Sequence, residues 1–452
     1  MTATRRKSYL IQDPYDDDAV RFIRTLFTYF GLRPICFYSD RKQRYYGEHR
    51  YPILTSERIE ASYDVDLANL TPFADEVRRR YEVLGVIPYR EDTVEVAADL
   101  CALFDFGWNS AETLRRFRDK HALKTFLRQS NATLRVPQSR LVRRVEDVWA
   151  APVPSRFVIK PNHGFGNRHI GIFDATARDG VAAHLAREPS ASWVLEEYIG
   201  GPEFHINGQV RSNGDIVLLG MLEYLRTEAN GCPTVYRAER QCRTDHALFE
   251  PIAAYARKLV RTSGLRRCPF HMEVKVDEHG PCLIDIGARF PSEGGGNMLS
   301  RFHPSRPDVY AIAAHDYLGE NTFAAKPIDW RYYNQNTTLL VYGISTEEGV
   351  IHALDGLDAV EALPEFVNWP VKPRVGDRLY RTIDLGSKSY VVELSHRGDE
   401  RNSDRLIELV QAEVKINATS SYPARLRART LDVLRRALPK LRWMTHGALR
   451  TG

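Results

Sequence analysis

The stretch that decides the fold is "HMEVKVDEHGPCLIDIGAR", His271 to Arg289. Met272, Val274 and Val276 alternate with His271, Glu273 and Lys275. After the turn-rich Asp277-Glu278-His279-Gly280-Pro281, Cys282, Ile284 and Ile286 alternate with Leu283, Asp285 and Gly287. Period-2 alternation on both sides of such a segment predicts a β-hairpin with a loop of about five residues. A turn centred on His279 sets Glu273 opposite Asp285, and directly opposed side chains share a face with Cβ atoms roughly 5 Å apart. The apolar set (Met272, Val274, Val276, Cys282, Ile284 and Ile286) then faces the other way and forms core. Two carboxylates that close repel each other unless a cation lies between them.

The bland reading is the solvated outer face of an edge hairpin. The sharper one is a hard-oxygen site for a divalent cation, with Arg289 two pleats beyond Asp285 on the same face. Carboxylates that hold a cation against phosphate oxygens, with an arginine beside them, suit phosphoryl transfer. The rest of the chain must then supply a nucleotide site.

A length of 452 residues implies about three domains. Hydrophobic residues make up 43% and charged residues 27%, the balance of a chain with an ample core. No stretch approaches the roughly 18 uninterrupted apolar residues of a membrane span. The start, "MTATRRKSYLIQDPYDDD", has too short an apolar run for a signal peptide. Six cysteines without a CxxC pair suggest reduced thiols and a cytoplasmic protein. The net charge of +5 is concentrated at the end: from Ser421 on there are eight Lys or Arg and one Asp. The remainder is close to neutral and gives no reason to expect a nucleic-acid partner.

Outward from the hairpin, "SYLIQDPYDDDAVRFIRTLFTYFGLRPICFYSD" reads as strand, loop, helix over Ala19–Phe30, stop at Gly31, and strand over Pro34–Tyr38. Strands alternating with helices imply a parallel sheet. "SAETLRRFRDKHALKTFLRQSN" reads as one charged helical stretch with Ser110 and Glu112 in its first turn. "RFVIKPNHGFGNRHIGIF" is a strand ending in Lys160, a loop with Gly164 and Gly166, and a second strand around His169–Phe173. Glycines let backbone amides wrap phosphate oxygens, though many such hairpins bind nothing. Neither GxxxxGK[ST] nor GxGxxG occurs, which disfavours a P-loop or Rossmann site. A helix is expected over Ser403–Val414.

In this order the pieces resemble the ATP-grasp superfamily, especially its L-amino acid ligase and carboxylate–amine ligase branch, over roughly residues 8 to 415. Arg118-Asp119-Lys120, Lys160-Pro161 before the glycine loop, Glu196-Glu197-Tyr198-Ile199 followed by Glu203, and Glu273 with Asp285 and Arg289 carry the resemblance. It implies an α/β fold with an α+β ATP-binding part. The expected divisions are an N-terminal parallel α/β domain over 1–112, an ATP-grasp domain over 113–330 with a lid at about 154–197, a β-rich subdomain over 331–418, and a basic amphipathic tail over 419–452.

The resemblance also implies roles. Lys120 and Lys160 reach the α- and β-phosphates of ATP under a flap carrying Gly164 and Gly166. Glu196 accepts from the adenine amino group, the backbone of Glu197 and Ile199 completes the adenine edge, and Glu203 holds the ribose hydroxyls. Glu273 and Asp285 bind Mg²⁺, with Mn²⁺ as a substitute, and Arg289 faces the developing acyl phosphate. Asp285 stands where the second metal acid is usually Glu, and Gly287 where many members carry Asn.

The activity implied is ATP-dependent ligation of a carboxylate to an amine, with amino acids as substrates, through an acyl phosphate. The alternatives are a biotin carboxylase-like carboxylase, a ligase of carrier-bound acids recruited through the basic tail, and a non-catalytic nucleotide-binding protein. A homodimer is expected.

Overall fold

The protein is seen in a computed structural model that describes residues 5–88, 90–106, 109–164, 166–188, 192–291, 295–302, 309–318 and 329–419. The chain divides into two compact units: the residues up to Leu225 with Glu239–Thr337, and Arg226–Ala238 with the residues from Thr338 on. The basic tail from residue 420 on and residues 292–294, which lead into the triglycine run, lie outside the described residues. Among the described residues, no helix is long and apolar enough to cross a membrane.

The first unit opens with a parallel sheet. Strands β1 (Arg6–Gln12), β2 (Ile35–Tyr38), β3 (Ala61–Asp64) and β4 (Tyr81–Val86) stand in the order β3-β2-β1-β4. Tyr9, Leu10 and Ile11 on β1 are fully buried, as a continuous apolar run must be when helices cover both faces. Helix α1 (Asp17–Phe30) is capped by Asp16, which accepts from the Ala19 amide at 2.8 Å. It stops at Gly31, whose φ of 62° a side chain would resist. β3 is an unexpected strand: "ASYD" is too short and polar to announce one. The strand order reverses between β1 and β4, the place where open α/β sheets leave a crevice beyond their carboxyl ends. Glu91 lies in the short turn that follows β4, at that end.

The charged helical stretch is two helices rather than one. Ser110 caps the first, Ala111–Arg118, and Asp119 caps the second, Lys120–Ser130, by accepting from the Ala122 amide at 2.8 Å. The break is an N-cap, which needs neither proline nor glycine. Beyond it, β5 (Ser139–Val142), β6 (Arg156–Pro161), β7 (Gly171–Asp174) and β8 (Trp193–Glu197) form an antiparallel sheet ordered β5-β8-β6-β7. Val142, Phe157, Ile159, Val181, Trp193 and Leu195 form its core.

The larger sheet of this unit takes β9 (Glu203–Val210), β10 (Ile216–Ala229), β11 (Cys232–Gln241), β12 (Pro269–Asp277) and β13 (Gly280–Gly287) in the order β13-β12-β9-β10-β11. The expected hairpin is β12–β13, and Glu273 does pair with Asp285. It gets there by another route. Asp277 pairs with Gly280, so only Glu278 and His279 lie between the paired residues rather than five, and Gly280 just past them takes a φ of 92° that a side chain would resist. That tight turn alone would set Glu273 opposite Ile284 and Asp285 opposite the core residue Met272. A bulge between Glu273 and Val274 leaves Ile284 as the extra residue and returns Asp285 to the face of Glu273. The expected apolar set is corrected accordingly. Leu283, not Ile284, pairs with Val274, and Cys282 lies opposite Lys275.

In the second unit the far ends of β10 and β11 are followed by β14 (Thr337–Tyr342), β15 (Gly349–Asp355), β16 (Phe366–Val371), β17 (Arg378–Leu379), β18 (Val391–His396) and β19 (Lys415–Thr419). The sheet runs β10-β11-β14-β18-β16, and a smaller one runs β17-β15-β19. The helix expected at Ser403 begins earlier and spans Glu400–Glu413.

Candidate active site

The site is assembled at the start of the helix Lys120–Ser130. A helix begins with amide groups that have no partner in the helix, and here they are met from two sides. The Asp119 carboxylate takes the Ala122 amide, while the Asn162 carbonyl and side-chain oxygens take Lys120 N at 3.3 Å and His121 N at 3.0 Å. Asn162 follows Lys160 by two residues, so this docking brings Lys120 and Lys160 together. Lys120 Nζ donates to the Gly164 carbonyl at 2.6 Å and lies 3.1 Å from Oδ2 of Asp285.

Lys160 turns to Glu196, with Nζ 2.9 Å from Oε2. The other oxygen of Glu196 is taken by Lys124, one helical turn beyond Lys120. Both ammonium groups also donate to the carbonyl of Ile284, Lys124 at 2.9 Å and Lys160 at 3.1 Å. Ile284 is the bulged residue, and its carbonyl is turned toward the lysines. Burial raises the pKa of the Glu196 carboxyl, but Lys124 and Lys160 outweigh it and hold the group below its ordinary range. Burial pushes Lys124 down to about 8, against the pull of Glu196. Burial also works against the charge on Lys160, which Glu196 and Asp285 more than restore.

The expected adenine contact of Glu196 meets a difference here, since the carboxylate is 3% exposed and each oxygen already holds an ammonium group. Lys124 belongs to no motif of the sequence. Its signal was the four-residue spacing from Lys120, which puts both on one helix face; a lone lysine there reads as solvated.

Glu273 and Asp285 face the same way from paired strands, with side chains 21% and 31% exposed. On its other side Glu273 pairs with His205 of β9. That strand carries Glu203, His205, Asn207 and Gln209 in alternation, all buried, so its inner face is polar. Glu239 meets His205 Nε2 at 3.1 Å, Asn207 joins His205 Nδ1 at 3.0 Å and His271 Nδ1 at 2.8 Å, and Tyr224 donates to Glu273 at 3.4 Å. The chain of contacts fixes the rings beside Glu273. Burial raises the pKa of Asp285, but Lys120, Lys160 and Lys124 outweigh it and hold the group far below the carboxylate range.

Arg289 is buried at the end of this face, and its Nε lies 2.5 Å from Oε2 of Glu91. The second oxygen of Glu91 binds Arg118 at 2.7 Å. Burial disfavours the guanidinium charge of Arg289, and Glu91 more than compensates, so the pKa rises. A Cβ at Gly287 would lie 2.9 Å from Glu91 Oε2. The missing side chain there leaves room for a carboxylate delivered from the crevice of the parallel sheet. No local pattern marks Glu91 in the sequence.

These residues fit a divalent cation of the magnesium kind. Glu273 and Asp285 offer hard oxygen donors on one face, and no cluster of three metal-ligating side chains exists among the described residues. Two carboxylates with water and phosphate completing the shell is how Mg²⁺ is ordinarily held in nucleotide sites. Of the other expected residues, Gly166 takes a φ of 70° in the loop after Gly164, Glu197 accepts from the Gln138 amide at 2.9 Å, Ile199 is buried, and Glu203 pairs with Lys275 and Tyr224 across strands.

Comparison with known proteins finds likenesses in sequence and in fold. The ATP-grasp domain family matches residues 153–295. Dapdiamide A synthase of Enterobacter agglomerans is 30% identical over 188 residues, 37% of this chain and 44% of that protein, so the chain spans less than half the length of this relative. The L-amino acid ligase of Bacillus licheniformis superposes over 92% of this chain and all of its own, with a TM-score of 0.71 at 15% identity. N5-carboxyaminoimidazole ribonucleotide synthetase of Thermotoga maritima covers the same shares with a TM-score of 0.61 at 15% identity. The biotin carboxylase domain of Hydrogenobacter thermophilus 2-oxoglutarate carboxylase covers 92% of this chain and 91% of its own at 0.60 and 13%. Residues 153–295 thus match the ATP-grasp domain family, and the chain shares its fold with these solved structures.

Proposed function

We propose that the protein is an ATP-dependent carboxylate–amine ligase acting on amino acids. The observation that carries this reading is the pairing of Glu273 with Asp285 on one face, with Lys120 on Asp285, Lys160 close by and Arg289 at the far end. Lys120 and Lys160 hold the phosphates, and Glu203 takes the ribose hydroxyls. The backbone of Glu197 and Ile199 reads the adenine edge, while the Glu196 carboxylate stays with the lysines. Glu273 and Asp285 hold Mg²⁺, which when bound neutralises charge on the phosphate oxygens.

In-line transfer demands positioning and charge neutralisation rather than a protein nucleophile. The substrate carboxylate oxygen attacks the γ-phosphorus, the bond to the bridging oxygen breaks and ADP leaves. The amine then attacks the acyl carbon, the amide bond forms, and phosphate departs with the electron pair while the nitrogen loses a proton. Arg289 stands beside the carboxylate where negative charge develops, a kind of stabilisation often worth about 3 kcal/mol.

The test is ADP release measured across pairs of amino acids, with product masses recorded. Release that requires an amino acid pair and yields their condensed mass is the expected result. Release that follows bicarbonate instead would make the protein a carboxylase, and nucleotide binding without turnover would remove the enzymatic reading.

A further inference from the structure

Lys124 and Lys160 share the same two acceptors. Each donates to Glu196, on separate oxygens, and each donates to the carbonyl of Ile284. Side chains of the two lysines and of Glu196 are 2%, 6% and 3% exposed, so water cannot replace a donor that leaves. An ammonium group has three N–H donors, and Lys124 alone can serve both acceptors. The duplication has no structural need, since one lysine would neutralise Glu196. It matters only if one of the two must leave.

We infer that Lys124 is a positioning residue that keeps Glu196 and the Ile284 carbonyl satisfied, so that Lys160 is free to turn to the phosphates of a bound nucleotide. The inference rests on the ATP reading above. Lys160 is the one that moves, because it stands at the edge of the glycine loop; Lys124 is held on the helix. Without Lys124, turning Lys160 away would strand a buried carboxylate with no cation, and such a charge strongly resists isolation. Lys160 would therefore stay on Glu196 and be lost to the nucleotide.

The test is calorimetric binding of ATP with Mg²⁺ to the full chain. Lys124→Met should raise the Kd by about tenfold or more. Adding Glu196→Gln removes the acid that ties Lys160 down while keeping an acceptor oxygen, and should bring the Kd back to within about threefold of wild type. Unchanged binding in Lys124→Met overturns the inference, and so does a loss that Glu196→Gln does not repair. If Lys124→Met fails to fold, the comparison is made within the Glu196→Gln background. There Lys124→Met should be nearly neutral, and a further tenfold loss would place Lys124 on the nucleotide itself. Absence of ATP binding by the wild-type chain would sink the ATP reading and this inference with it, whereas wild-type binding with unaffected variants sinks the inference alone.

Discussion

Two neighbouring clusters use the same residue types to opposite effect. Around Glu196 two lysines meet one carboxylate, and the group is sealed from water. On the hairpin face two carboxylates meet Lys120, and both acids remain partly exposed. The first carries an excess positive charge and the second an excess negative one. A phosphate chain with a divalent cation matches both at once: anion toward the lysines, cation toward the acids. Burial decides which cluster is stable alone. The sealed one is already paired, and removing Glu196 by itself would leave two buried ammonium groups, a change that typically costs about 3–5 kcal/mol. The open one can wait for its ligand.

The sharpest way to break that contrast is to neutralise the acid-rich side. Glu273→Gln and Asp285→Asn should each lower turnover by more than tenfold, at least about 1.4 kcal/mol in the barrier, with the melting temperature little changed. Retention of more than about a tenth of the wild-type kcat in either variant would remove that acid from the metal site. On the cation-rich side, Lys160→Ala should weaken ATP binding by about tenfold while amino acid binding holds. Equal loss of both ligands in calorimetry would point to a general structural role instead.

The smallest effect lies at the hairpin tip, away from both clusters. Arg135 grips Asp277 through two contacts of 2.6 and 2.7 Å and holds its pKa at about 2. The folded pKa is lowered, so the stabilisation is complete above the ordinary carboxylate value of about 4 and is lost as the pH falls from there toward 2. Asp277→Asn should flatten the melting temperature over that window and leave it nearly unchanged in slope at neutral pH. A wild-type slope surviving in the variant would show that other carboxylates govern the acid limb.

How much of this was legible depends on where each residue sits. Glu273 and Asp285 lie in alternating strands around a turn, so period 2 announced both their strands and their shared face. The bulge left no trace, because one extra residue alters the alternation by a single apolar position and Ile284 is apolar like its neighbours. Lys120 and Lys160 were legible from the order of motifs, whereas Lys124 and Glu91 act through distant partners, Glu196 and Arg289, that local pattern cannot supply. The helix break at Asp119 escaped notice for a related reason. An N-cap acid inside a charged helical stretch looks like one more surface charge until Asn162 is seen to complete the end.

The hairpin between Glu273 and Asp285 behaves as a parity device. Its tight turn and its bulge each shift the pairing by one step, and only together do they leave the two acids in phase. Loop engineering there is consequently constrained by where a residue is added or removed rather than by length. Removing Ile284 alone would erase the bulge and move Asp285 into the place opposite Glu273, with the two acids still in phase. Even then the lysines would lose the carbonyl they share, and the straightened hairpin would hold its acids in place over a less ordered pair of cations.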